Sequence, residues 1–137
     1  MATKDEVAGF MAEEFPQARV VIEAVGDRGA IVSLDVGQDD LRPGGTVSGP
    51  ALMGVADAAL YAALLGEIGI VPLAVTTSLT INFLRKPDAS RRVKGVCKLM
   101  KVGTALAVGE VSLYSEGHSE PVAHVVGTYS IPPRNSK

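Results

Sequence analysis

The chain is predicted to form one α+β domain, a curved antiparallel sheet wrapped around a long central helix. Three observations carry that expectation. The run from Pro50 to Leu65 holds a single charged side chain, Asp57, in a stretch otherwise made mainly of Ala, Leu, Val and Met. Strand-like alternation occurs in two segments before that run and four after it. With 137 residues, 47% of them hydrophobic and 20% charged, the chain suffices for one globular core and is unlike a disordered segment.

The elements follow in order. Thr3-Lys-Asp-Glu6 matches a capping box; Val7, Phe10 and Met11 then share one helical face, and Pro16 stops the helix near Phe15. From Arg19 to Val36, Val20-Val-Ile22 and the alternation of Val32, Leu34 and Val36 with Ser33 and Asp35 predict two strands. Asp27-Arg-Gly29 supplies the hairpin turn between them. Gln38 to Gly49 has loop composition. The central helix then starts at Pro50, a favoured first position, and ends at Gly66, a length of ~26 Å. Its apolar residues occupy every face, so it is expected to be buried nearly all round. After Pro72, Val75, Thr77, Leu79, Ile81 and Phe83 alternate with Thr76, Ser78, Thr80 and Asn82. Val93–Met100, Ala105–Tyr114 and Val122–Ile131 follow as further strands. The single domain spans 1–137, with its core from about 19 to 131.

Composition narrows the function. Cys97 is the single cysteine, which rules out an intrachain disulfide, and Met-Ala-Thr-Lys-Asp-Glu has no signal-peptide character; a reducing cytoplasm is expected. Asp57, Gly66, Glu67, Gly69 and Pro72 interrupt the apolar stretch, so no membrane partner is expected. The formal net charge is −2, yet Arg85, Lys86, Arg91, Arg92, Lys94, Lys98 and Lys101 face only Asp88 within their segment, a local +6 against −8 elsewhere. That segment contains no aromatic residue for base stacking, so nucleic acid is not the expected partner. No metal-ligand spacing is present, and His118 and His124 have no evident catalytic partner.

The element order and the local sequence resemble the hotdog fold, and within it the PaaI-like acyl-CoA thioesterases related to phenylacetate degradation. In that family a Gly-rich loop with a His-Gly-Gly signature leads into the helix, and an acid follows nine residues after the His. Here Gly44-Gly45-Thr-Val-Ser48-Gly49-Pro50 leads in, and Asp57 falls nine residues after Ser48. Val75-Thr-Thr-Ser-Leu-Thr-Ile-Asn-Phe-Leu-Arg-Lys-Pro87 is similar to the family's third strand, and Lys101-Val-Gly103 to the turn before the next. Ser48 stands where the family has His, Pro50 where it has the second Gly, and Arg42 about where many members carry Asn.

The resemblance implies thioester hydrolysis without metal or redox cofactor. Asp57 would be general base or nucleophile, and the Gly49 N–H the oxyanion donor. Arg42, Ser48, Thr76, Thr77 and Ser78 would contact substrate, and Arg85, Lys86, Arg91, Arg92, Gly103 and Thr104 would dock coenzyme A. Spacing adds a constraint. Eight residues separate Gly49 from Asp57, ~12 Å along one helix, too far to share one thioester carbonyl. If both are catalytic, each site must combine Gly49 of one subunit with Asp57 of another, and a homo-oligomer, dimer or dimer of dimers, is expected. Two alternatives stand beside this. Asp57 is a structural carboxylate paired across an interface, with Arg42 as a candidate partner, or the chain is a non-catalytic acyl-CoA-binding or interaction dimer.

Overall fold

The computed structural model describes residues 1–133. Helix α1 (Lys4–Glu14) and a 3-10 turn (Pro16–Ala18) precede the hairpin β1 (Val21–Gly26) and β2 (Gly29–Leu34). After a loop comes helix α2 (Gly49–Ile68), then β3 (Val75–Phe83), β4 (Val93–Val102), β5 (Leu106–Ser115) and β6 (Ala123–Ser130). The six strands form one antiparallel sheet in the order β1-β2-β4-β5-β6-β3, which leaves β1 and β3 as edges. Helix α2 touches all six strands because the sheet curls around it.

Local chemistry accounts for most boundaries. Thr3 Oγ1 accepts the Glu6 N–H while Glu6 Oε1 accepts that of Thr3, completing the capping box of α1. Asp27 (φ 53°) and Arg28 (φ 60°) both take left-handed conformations, as a two-residue hairpin turn requires. The end of α2 differs from expectation: the helix runs through Gly66 to Ile68 and stops at Gly69, whose φ is 97°. Gly66 serves close packing instead. A Cβ there would overlap Val25 Cγ1 on β1, so the position is kept bare within the helix.

The core sits between α2 and the concave face of the sheet. Val55, Leu60, Leu64 and Leu65 from the helix meet Val32, Val93, Val111, Leu113 and Val125 from the strands, all 2% exposed or less. Leu60 nests over Gly127 and Gly109, where an added Cβ would approach its methyls to 2.5 and 2.8 Å. Gly127→Ala is therefore expected to destabilise the fold by ~1–3 kcal/mol through overpacking, read as a lower urea midpoint at unchanged slope.

The expectation of all-round burial for α2 is corrected. The stripe Pro50, Met53, Gly54 and Asp57 is uncovered or only partly covered by its own chain, with Met53 37% exposed. Hydropathy cannot distinguish a face covered by the chain's own sheet from one it leaves open. The helix is long and apolar enough to cross a membrane, but most of it is enclosed in the core.

Candidate active site

Asp57 is half-buried, and its Oδ1 accepts two hydrogen bonds, from Thr76 Oγ1 at 2.6 Å and from the Tyr129 hydroxyl at 2.7 Å. No cation pairs with it among the described residues. The two hydroxyls come from neighbouring strands, Thr76 opposite Tyr129 in the β3–β6 ladder. A shift in that ladder between Thr76 and Ser78 makes the contact possible. Strict alternation would put Thr77 on the face of Leu79. The bulge leaves Thr77 as the extra residue, donating to the Thr128 carbonyl at 3.3 Å, and turns Thr76 inward while Ser78 lies opposite Thr128. The expected grouping of Val75 and Thr77 with Leu79, Ile81 and Phe83 is thus corrected at the start of the strand. A Thr-Thr-Ser run has no apolar bias to mark its inner face.

The start of α2 can be fully accounted for. Ser48 is the N-cap: its Oγ accepts the Ala51 N–H at 3.2 Å and its carbonyl the Leu52 N–H at 3.1 Å. Pro50 has no N–H. The Gly49 N–H is the one first-turn donor left without an acceptor among the described residues, at the positive end of the helix. An added Cβ at Gly49 would lie 3.2 Å from Phe83 Cζ, so the last residue of β3 stands beside this donor. Within one chain, Asp57 lies by the start of β3 and Gly49 by its end.

Two clefts adjoin Asp57. One, of about 350 Å³, is bordered by Phe10, Phe15, Tyr61, Thr76 and Tyr129, with Glu14 on its wall. The other, of about 250 Å³, runs along the open stripe of α2 past Pro50 and Gly54 to Arg19 and Asp40. Phe15 borders both, and its ring meets that of Tyr61 edge-on at 6.1 Å.

The remaining sequence candidates divide by position. Arg42 lies exposed in the turn before α2, where its N–H donates to Thr46 and its carbonyl accepts from Gly45; no ion pair of its side chain occurs among the described residues. Arg85, Lys86, Arg91 and Arg92 gather at the Phe83 end of the sheet. Arg85 pairs with Glu120 at 3.1 Å and donates to the Pro121 carbonyl. Arg92 is engaged by Asp35 at 2.9 Å and Glu23 at 3.3 Å, and Lys94 shares Glu23. Gly103 and Thr104 form the β4–β5 turn at the opposite end, the end that carries Thr76. A single chain therefore does not unite the six coenzyme A candidates.

His118 lies 3.4 Å from Asp88, and His124 2.9 Å from Glu110, both away from Asp57. Burial, reinforced by Glu110, pushes the Cys97 thiol up to about 12, so it is not a nucleophile near neutral pH.

Sequence reasoning missed Tyr129, although a phenol on the apolar face of a strand signals a buried hydroxyl in need of a partner. It also missed Asp40 among the loop residues. Asp40 is buried, accepts from Arg19 Nη2 at 2.6 Å and from the Gly37 N–H at 2.8 Å, and its carbonyl takes the Ser48 N–H at 2.8 Å. These bonds tie the N-terminal arm to the entrance of α2.

The family model of the thioesterase superfamily matches residues 44–122, which include Gly49, Asp57 and Thr76 but not Arg42 or Tyr129. No curated protein matches the chain. A candidate thioesterase from Silicibacter sp. TM1040 is 43% identical and superimposes with a TM-score of 0.88 over 96% of this chain and 92% of that one. A point mutant of the phenylacetic acid degradation protein PaaI of Thermus thermophilus is 25% identical, with a TM-score of 0.74 over 90% and 99% of the two chains. The PaaI protein from the E. coli phenylacetic acid degradation operon shares the fold, with a TM-score of 0.83 at 21% identity over 94% and 93%. On this agreement of sequence family and fold, the chain belongs to the thioesterase superfamily and is a thioester hydrolase built on a hotdog fold.

Proposed function

We propose that the protein hydrolyses small or medium acyl- or aryl-CoA thioesters at sites shared between two subunits, Asp57 from one and the Gly49 N–H from the other. The observation that carries this reading is the division of labour along α2: among the described residues, a carboxylate held by hydroxyls with no cation, and a free backbone donor ~12 Å away on the same helix. Edge strand β3 offers the means of joining them. It is bonded on one side only, and Val75, Phe83 and the adjacent Leu84 are about half exposed. If β3 pairs antiparallel with its own copy about Leu79, Val75 lies opposite Phe83 and Thr76 opposite Asn82. Asp57 of one subunit then approaches Gly49 of its partner. The same twofold brings the partner end that bears Arg85, Lys86 and Arg91 toward the end that bears Gly103 and Thr104.

In the reaction, the Gly49 N–H holds the charge that develops on the thioester oxygen. Asp57 takes a proton from the attacking water, or attacks the carbonyl itself and is released by water; the C–S bond breaks and the thiolate leaves, protonated, as coenzyme A. Exposed cations near the Phe83 end suit the carrier's phosphates. Arg92, held by two carboxylates, keeps the hairpin in place. No cofactor beyond the coenzyme A of the substrate is required. A cytoplasmic setting belongs to the same reading, with Cys97 a buried thiol.

The test is release of free thiol from a panel of acyl- and aryl-CoA esters; hydrolysis of none would overturn the proposal. The aromatic cleft beside Asp57 would take the acyl group. At about 350 Å³ it exceeds the ~150 Å³ that encloses a benzene ring. Because Phe15 divides this cleft from the second, Phe15→Ala is expected to join them and raise kcat/KM for bulky relative to short acyl groups by roughly tenfold, measured by competition between two esters.

A further inference from the structure

We propose that Tyr129 is a positioning residue for the reaction: with Thr76 it pins one oxygen of Asp57, so that the other is the oxygen that meets water or the thioester. This rests on the assignment of Asp57 as base or nucleophile. Both donors converge on Oδ1, at 2.6 and 2.7 Å, and Oδ2 has no donor among the described residues. The Tyr129 hydroxyl also lies 3.2 Å from the Asp57 backbone carbonyl, which fixes it against the helix as well as the side chain.

The phenol is itself held firmly. Tyr129 is 5% exposed, and its ring stacks on that of Tyr61 with centroids 5.9 Å apart and planes inclined by 18°. Tyr61 stands one turn after Asp57 on α2 and donates to the Pro72 carbonyl at 3.1 Å. Helix and strand thus deliver acid and phenol from opposite sides of one aromatic stack. Burial, and then the adjacent Asp57 carboxylate, holds the Tyr129 phenol far above its usual range, so it remains a donor throughout the working pH. A carboxylate that accepts two short bonds on one oxygen cannot turn freely. Reactivity is then confined to the other, which satisfies the orientation demand of an in-place base or nucleophile. Tyr129 lies on β6, beyond the residues matched by the family model.

Tyr129→Phe tests the idea because it keeps the ring stack and removes only the hydroxyl. The expected result is a fall in kcat on the order of ten- to hundred-fold, with KM within about twofold and the melting temperature lowered by only a few degrees. Thr76→Ser, which keeps the second hydroxyl, should retain most of the rate. An unchanged kcat in Tyr129→Phe, with the wild type active and Asp57→Asn inactive, would overturn this proposal alone. A proportional loss of kcat, substrate affinity and melting temperature would overturn it in favour of a packing role. If the wild type hydrolyses no thioester, the parent reading falls and this one with it.

Discussion

Asp57→Asn is expected to lower kcat by about 10³-fold, within the 10²–10⁴ range of a lost general acid–base group. Asn is nearly isosteric, and its amide oxygen still accepts from Thr76 and Tyr129, so the local geometry has no reason to collapse. What disappears is the negative charge that takes a proton or attacks carbon. KM should therefore move little and the melting temperature should stay close to wild type, which separates chemistry from folding. Thiol release under saturating substrate is the measurement. A rate within tenfold of wild type would mean that Asp57 is a structural carboxylate.

The second large effect concerns the sharing of sites. Gly49→Pro removes the free N–H at the helix start; because a Cβ there would lie 3.2 Å from Phe83 Cζ, Gly49→Ala, which adds the Cβ and keeps the N–H, is its control. Proline is well tolerated at a first helical position, and Ser48 before it, at φ −74° and ψ 155°, already has the extended backbone that proline imposes on its predecessor. Alone, this variant should lose about 10²–10³-fold in kcat through the missing oxyanion donor. Combined by co-expression with Asp57→Asn, each chain carrying its own affinity tag, the mixed dimer should recover about half of the wild-type rate. One of its two sites then receives both intact halves, and the other neither. Mixed dimers as inactive as their parents would show that Asp57 and Gly49 do not act together across a twofold.

Much of this was legible from residue order. Thr3 and Glu6, Asp27 to Gly29, and Ser48 before Pro50 act through hydrogen bonds and dihedral preferences that extend over three or four residues, so their effects can be read locally. The same holds for the Gly49–Asp57 separation, because helix rise converts sequence distance into length. The end of α2 was misjudged because a glycine in a helix looks alike whether it stops the helix, as Gly69 does, or makes room for Val25, as Gly66 does.

Contacts between distant segments were beyond that reach. Asp57 to Tyr129 spans 72 residues and Arg19 to Asp40 spans 21, and each depends on how strands are ordered and registered. Sequence alone determined that a carboxylate would sit in an apolar helix eight residues from a free backbone donor, because helix geometry and capping are local. Only the tertiary structure decided what holds that carboxylate. A single extra residue in the β3–β6 ladder chooses Thr76 over Thr77, and the curl of the sheet sets Tyr129 against Asp57. Register and curvature are properties of paired strands, with no counterpart in either strand read by itself.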